Sequence, residues 1–302
     1  MISPRIIRRV RLYVLTDKLS PLLHDRAFLR QKYFLRTWRV LHLRHPRRFT
    51  EKLQWLKLYD HRPEFITIAD KYEVKDYVAS RIGAQYVIPT IAVWNRVEDI
   101  DWDALPNQFV LKCTHDSKST VICHDKATLD RDAAIRKLQK HLRHNFYWKS
   151  REWQYKHITP RIICEQYIPA PEGELTDYKF YCFDGHAAYC QLIADRSTCE
   201  TIGFYDRDWQ HQPFVGLNPK IAYSDRLHPR PEGYDEMLRL ADTLSAGFPF
   251  VRIDLYNNRG HILFGEYTLH PYGGFGFFQP DEWDFRLGDM IHLPEASTLS
   301  AR

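Results

Sequence analysis

The chain has 302 residues, 44% of them hydrophobic and 27% charged, with a formal net charge of +5. That length buries a real core, suits two lobes better than one compact unit, and has the composition of an ordinary globular enzyme or binding protein. No run of about 18 apolar residues occurs, which argues against a membrane-spanning helix, and the basic start MISPRIIRRVRLYVLTDKLSP lacks a small-residue cleavage site, so it is not read as a signal peptide.

Residues 5–45 read as helical, with a break at Pro21. Residues 1–50 hold thirteen Lys/Arg against two Asp/Glu, leaving 30 of the 43 bases and 36 of the 38 acids for the rest of the chain. A basic helical segment of this kind suits an anionic membrane surface or a polyanionic glycan. No groove-reading motif accompanies it, so nucleic acid is not an expected partner. Next, TEKLQWLKLYD forms a helix with Leu53, Trp55, Leu56 and Leu58 as its buried stripe, Thr50 as N-cap and an incomplete capping box. ADKYEVKDYVASRIG is one further helix, stopped by Gly83. QYVIPTIAVW and NQFVLKCTH are buried strands, and residues 128–144 a helix begun by Thr128 or Asp130. PRIICEQYIP, DYKFYCFDGHAAYCQLIAD and TIGFYDRDW are strands, with Asp184-Gly185 a turn. Residues 232–246 form a helix, and VRIDLYNNRGHILFGEYTLHP a hairpin. The order indicates an α+β architecture without internal repeats.

The six cysteines (Cys113, Cys123, Cys164, Cys182, Cys190, Cys199) form no CxxC pair and read as reduced, mostly buried thiols of the cytoplasm. His141 and His144 have no second ligand pair with matching spacing and read as a solvated helix face, not a zinc site.

The chemistry is carried by charges inside strands. Lys112 ends FVLK, where an unpaired buried ammonium costs several kcal/mol, so it either snorkels or meets an anion. The polar loop THDSKST follows, and strand, lysine, small-residue loop, strand lets backbone N–H groups close over phosphates. Lys179 sits within DYKFYCF, Glu165 within IICEQYIP, and Arg252, Asp254 and Glu266 within the hairpin. Together they exceed what structural pairing accounts for and indicate a site for a polyanion and a metal. Asp254 and Glu266 are suited to share Mg²⁺, a hard ion that takes carboxylate oxygens. Strand parity sets a condition: both point to one face, with Arg252 alongside, only if the hairpin loop is odd in length, bulged at a left-handed Gly260 after Asn258. In HPYGGFGFFQPDEW, Gly273, Gly274 and Gly276 permit close backbone approach while Tyr272, Phe277 and Trp283 offer faces to sugars; a core-closing loop is the equal alternative.

The blocks FTEKLQWLKLYD, IADKYEVKDYV, FVLKCTHDS, IICEQYI, DYKFYCFDG, FVRIDLY, FGEYTLHP and PDEWDFRLG, in this order, resemble ATP-grasp enzymes. More closely they resemble the TupA-like ATP-grasp family of bacterial surface-polysaccharide gene clusters, over residues 46–292. The resemblance implies an ATP-grasp fold, two α+β lobes clasping a nucleotide, behind a helical basic N-terminal extension. The implied layout is an extension at 1–48, an α/β segment at 49–105, a core at 106–292 and a tail at 293–302. Within the core the lid-bearing lobe is about 106–168 and the C-terminal lobe about 169–292. Lys71 and Lys112 correspond to the two phosphate-contacting lysines, and the loop with His115, Ser117, Lys118 and Ser119 to a mobile lid. Glu165, Gln166, Tyr167 and Ile168 correspond to the hinge that reads adenine, and Glu172 or Glu174 to the ribose ligand. Lys179 would face the phosphates and Arg252 the transferring phosphoryl group, with Asp254 and Glu266 on Mg²⁺. Two departures stand out. Lys118-Ser119 replace glycines usual in the lid, and Thr268 stands where the superfamily has a metal-binding Asn, with His270 on the same strand face as a substitute.

The implied activity is an ATP-dependent carboxylate–amine ligase acting through an acylphosphate, joining an amino acid or amine to a uronic acid, with Tyr272, Gly273, Gly274 and Phe277 on the acceptor. The alternatives are a phosphotransferase on a glycan hydroxyl, with His270 or Asp177 as base, and a glycosyltransferase. For the last, the DxD spelling occurs at Asp101-Trp102-Asp103, which reads as a surface turn. The expected setting is the cytoplasm, with residues 1–45 at the inner face of the membrane.

Overall fold

In the computed structural model the described residues are 17, 20–169, 176–194, 201–217, 222–223 and 227–295. Helix α1 (Asp25–Thr37) ends at Trp38, which takes left-handed backbone (φ 61°) and donates its N–H to the Phe34 carbonyl. The chain from there to Arg48 is not helical, so the described part of the basic segment is less helical than its sequence suggests. Helix α2 (Phe49–Tyr59) starts before Thr50, and its N-cap is Arg48. The Glu51 carboxylate completes that start by accepting from the backbone N–H groups of Arg47 and Arg48. Thr50 instead donates its N–H and Oγ1–H to the buried Asp284 carboxylate, both at 3.0 Å. A cap expected from local sequence is thus a long-range tie.

A helix not expected, α3 (Glu64–Ala69), comes next, and the one expected over residues 69–83 starts only at α4 (Val74–Ile82). The break lies at Asp70, whose Oδ1 accepts from the N–H groups of Tyr72 (2.8 Å) and Glu73 (3.3 Å). Such local side-chain bonds compete with the helix ladder, and here they leave Lys71 on a turn between the two helices.

Strands β1 (Thr90–Trp94), β2 (Phe109–Cys113) and β3 (Val121–Cys123) precede helices α5 (Arg131–Leu142) and α6 (Tyr147–Ser150) and strand β4 (Ile162–Gln166). They form a four-stranded antiparallel sheet in the order β1-β4-β2-β3. Asp130 caps α5 by accepting from the Ala133 N–H, and Leu138 of α5 packs with Phe109, Leu111, Cys113, Ile162 and Cys164.

The larger sheet is built from β5 (Thr176–Phe183), β6 (His186–Ala194), β7 (Thr201–Asp206), β8 (His211–Gln212) and β10 (Ala222–Tyr223), with β11 (Phe250–Asn258) and β12 (His261–Thr268) after helix α7 (Tyr234–Ser245). Its order is β10-β7-β6-β5-β11-β12, with β8 on β7. Short β9 (Val215–Gly216) pairs with β13 (Phe278–Gln279), and helix α8 (Glu282–Asp289) ends the described elements. Alternation gives the two faces different work. Phe180, Cys182, Val251, Ile253 and Leu255 cluster with Met237, Leu240, Ala241 and Leu244 of α7. On the other face Tyr181, Phe183 and Phe250 cluster with Phe49 and Leu53 of α2 and Trp283 and Leu287 of α8. Further along that second face the side chains are charged. The five described cysteines are free and buried.

Helix α8 crosses the start of α2 closely enough to admit only glycine. A Cβ on Gly288 would stand 2.2 Å from the Arg47 carbonyl oxygen and 2.7 Å from the Phe49 nitrogen, both backbone atoms that cannot swing aside. Gly288→Ala is therefore expected to destabilise the protein by about 2–3 kcal/mol despite alanine's better helix propensity. Urea unfolding measures this, and an unchanged midpoint would mean that α8 shifts without cost.

Candidate active site

The pleat of β11 sends Arg252, Asp254 and Tyr256 to one face. Across β5, Asp254 is opposite Lys179 and Arg252 opposite Tyr181. Across β12, Asp254 is opposite Glu266 and Arg252 opposite Thr268. The two acids do share a face, but not through the odd loop expected. The hairpin loop is the even pair Arg259 and Gly260, both with positive φ (52° and 82°), as in a tight primed turn. The parity change lies inside β12, where the register slips between Asp254 and Leu255 and leaves Gly265 as the extra residue. A Cβ there would lie 3.0 Å from the Asp254 carbonyl oxygen and 3.1 Å from the Tyr256 ring, so glycine permits the bulge.

The resulting cluster is buried and nearly neutral. Arg252 grips Asp254 with two parallel bonds, Nε to Oδ1 at 2.6 Å and Nη2 to Oδ2 at 2.7 Å, and Nη2 also donates to Thr268 Oγ1 at 2.9 Å. Lys179 Nζ donates to Asp254 Oδ2 at 2.6 Å and to Asp177 Oδ2 at 2.5 Å. Burial works to raise the Asp254 carboxyl, but Arg252 and Lys179 outweigh it and hold the group below the usual carboxylate range. The Arg252 guanidinium, in turn, is held charged: burial opposes its charge, and Asp254 more than offsets burial. Beside this set stands the half-buried Glu266, which among the described residues has no ion-pair or hydrogen-bond partner.

A second cluster belongs to the smaller sheet. Glu165, 5% exposed, pairs with Lys112 at 2.5 Å and with Lys75 at 2.7 Å. Burial pushes its carboxyl up, yet the two lysines prevail and lower it, while burial lowers the Lys75 ammonium. Lys75 is absent from the sequence reading, although it follows Lys71 by one helical turn, a spacing that was open to notice. Lys71 Nζ donates to the Asp116 carbonyl oxygen. Lys71, Lys75, Lys112, Glu165 and Glu266 line one narrow cleft, open to solvent, with Gly265 in its wall.

The loop after β2 is tied to α5 and to the segment that follows it. His115 is buried with Nε2 against the His144 carbonyl at 3.1 Å. Ser119 donates to Asp116 Oδ1 at 2.6 Å and accepts from the Cys113 N–H at 2.9 Å, and His141 holds the other Asp116 oxygen. The side chains of His115 and Ser119 thus hold the loop's own frame. Ser117 and Lys118 are exposed at the tip, Lys118 with φ 76°, where glycine is the usual residue. At the hinge, the Gln166 N–H is taken by the Pro89 carbonyl at 3.0 Å. Glu172 and Glu174 lie outside the described residues.

Two other expectations change. His270 does not join Asp254 and Glu266: its Nδ1 faces Glu152 at 3.3 Å, both side chains buried, and burial lowers its pKa. Thr268 is engaged by Arg252. Among the described residues no cluster of three or more His, Cys, Asp or Glu is placed to hold a metal. Mg²⁺ characteristically takes one or two carboxylates and fills its shell with phosphate oxygens and water, a demand that Glu266 could meet directly and Asp254 only in exchange for Arg252 or Lys179. In the Pro271–Gly274 turn, Tyr272 is exposed and Phe277 half-buried, whereas the Gly273 carbonyl accepts from Lys57 and Gln54. Burial lowers Lys57 to about 7. Gly274 packs on Gln54, Gly276 on Leu217, and Trp283 stacks on Phe214 at 4.0 Å, so those three residues close the core and Trp283 offers no face to a sugar. Asp101 forms the surface turn read from sequence, its Oδ1 accepting from the N–H groups of Asp103 and Ala104.

No curated protein matches the sequence. Among solved structures, D-alanine–D-alanine ligase from Helicobacter pylori aligns at 12% identity over 81% of this chain and 69% of its own, with a TM-score of 0.41. The D-alanine–D-alanine ligase from Bacillus anthracis complexed with ATP aligns at 16% identity over 74% and 65%, with a TM-score of 0.41. The D-cycloserine synthetase DcsG aligns at 17% over 78% and 73%, with a TM-score of 0.38. The chain thus spans about two thirds of the length of the two D-alanine–D-alanine ligases. The family model described as TupA-like ATPgrasp matches residues 51–292, and the chain belongs to that family, with its ATP-grasp fold.

Proposed function

We propose that the protein is an ATP-dependent carboxylate–amine ligase that acts through an acylphosphate and joins an amino acid or other amine to a uronic acid of a bacterial surface polysaccharide. The observation that supports it most is the cleft in which Lys71, Lys75 and Lys112 face Glu266, itself opposite Asp254. Three lysines suit a triphosphate, and no protein nucleophile is needed when positioning and charge neutralisation carry the reaction. Mg²⁺ on Asp254 and Glu266 would neutralise phosphate oxygens. A substrate carboxylate oxygen bonds to the γ-phosphorus as the bond to ADP breaks. The amine nitrogen then attacks the acyl carbon, phosphate leaves with the C–O bond, and the amine proton passes to phosphate or water. Arg252, gripped by Asp254 through two parallel bonds, would supply a fixed cation to the moving phosphoryl group. Lys179, shared between Asp177 and Asp254, would be the cation to turn to phosphate if a divalent ion were bound at Asp254.

The test is incubation with Mg-ATP, uronic-acid glycans and an amino-acid pool, followed by mass spectrometry. The expected result is ADP and phosphate in equal amounts with an amide product. A phosphorylated glycan without free phosphate would make the protein a phosphotransferase, and turnover of a nucleotide sugar without ATP a glycosyltransferase; either overturns the ligase reading.

A further inference from the structure

Helix α1 carries an outward ridge at one-turn spacing: Arg26, Arg30, Phe34 and Trp38, all exposed. After the left-handed turn at Trp38 the chain runs back beside this ridge. Leu41 and Leu43 bury against Phe28, Leu29 and Tyr33, so alternation leaves Val40, His42 and Arg44 facing outward. Between ridge and return lies a solvent-open groove lined by Arg30, Phe34, Val40, His42, Arg44 and His45. Val40 is 66% exposed, Trp38 57% and Phe34 44%, three of the ten large hydrophobic side chains exposed among the described residues, within seven positions. Around them Arg26, Arg30, Arg36, Arg44 and Arg47 are exposed, and Asp25 is the sole acid between residues 20 and 50.

We propose that this face docks on an anionic phospholipid surface, with Phe34, Trp38 and Val40 entering the boundary between headgroups and acyl chains and the arginines meeting lipid phosphates. An apolar patch ringed by cations fits such an interface, where tryptophan is favoured and each added cation strengthens binding. A polyanionic glycan would answer the arginines but not the apolar centre. Val40 is aliphatic, and Phe34 and Trp38 meet edge-to-face at 5.6 Å and 77°, so they form no flat platform for a sugar ring. The proposal goes beyond the reaction to where it takes place: a glycan built on a lipid carrier would meet the enzyme at the bilayer surface.

The experiment is co-sedimentation of the full chain with phosphatidylcholine vesicles, with and without about 30% phosphatidylglycerol. The protein is expected to pellet with the anionic vesicles alone and less as salt rises. Phe34→Ser/Trp38→Ser/Val40→Ser and, separately, Arg30→Glu/Arg44→Glu are each expected to weaken binding about tenfold or more. Ile122→Ser, an exposed aliphatic position elsewhere, is expected to bind as wild type. Because a triple variant can misfold, quenching of wild-type tryptophan fluorescence by brominated lipid, reduced in Trp38→Phe, supplies the second readout. Wild type that ignores anionic vesicles, variants that pellet unchanged, or capture by polygalacturonate without vesicle binding would each overturn the proposal.

Discussion

Asp254→Asn is expected to lower turnover about a thousandfold, the size of effect seen when a group neutralising transition-state charge is removed. The substitution keeps shape and removes one negative charge from a buried set in which Arg252 and Lys179 both depend on it. Two consequences separate experimentally. Catalytically, Glu266 would be left as the single carboxylate for a divalent ion. Structurally, two cations would share a neutral amide, with a stability loss of about 3 kcal/mol. Single-turnover ADP formation measures the first and urea unfolding the second. The paired change Arg252→Met/Asp254→Leu removes opposite charges together and is expected to recover most of the stability while remaining inactive. Turnover of Asp254→Asn within tenfold of wild type would show that the cluster is merely structural.

The second large effect is expected at Glu165→Gln. The carboxylate is buried between Lys75 and Lys112, so its loss leaves two ammonium groups close together and uncompensated, at a cost of about 3 kcal/mol near neutral pH. The pH dependence carries a sign. Lys112 and Lys75 overcome burial and depress the folded-state pKa of Glu165 below its unfolded value. Its stabilisation is therefore complete above the unfolded carboxylate value of about 4 and is lost as pH falls through the depressed folded value. The gap between wild type and Glu165→Gln in thermal unfolding should be widest near neutrality and narrow below about pH 4. A gap independent of pH would mean that the pairs contribute through packing. Weakened ATP binding with little change in fold is the companion expectation, read from loss of the ATP-induced thermal shift.

Both effects arise at residues that stand out in the sequence: Asp254 and Glu165, with Lys112, Lys179 and Arg252, interrupt strands that are otherwise apolar. The device that brings Asp254 and Glu266 together was legible only as a requirement. Parity demanded one extra residue, and the turn residues Asn258 and Gly260 were the local candidates. The register places it at Gly265 instead, where a Cβ would sit tightly, 3.0 Å from the Asp254 carbonyl oxygen and 3.1 Å from the Tyr256 ring. Lys75, His270 and Thr50 were misread or missed for a related reason. Their partners are Glu165, Glu152 and Asp284, far off in sequence and set by sheet register and helix packing. The lid glycines' absence was visible, but not that His115, Asp116 and Ser119 knit the loop to α5 and to the segment after it.

What the sequence by itself determined was the α+β order of elements and which charges interrupt its strands, because alternation and turn chemistry act within a few residues. The family rested on something else, the resemblance of the ordered blocks between residues 46 and 292. Which charges pair, which carboxylate is left for an ion, and which side of the basic segment faces outward were decided only by tertiary structure. Those outcomes depend on register and packing between segments that local pattern does not relate.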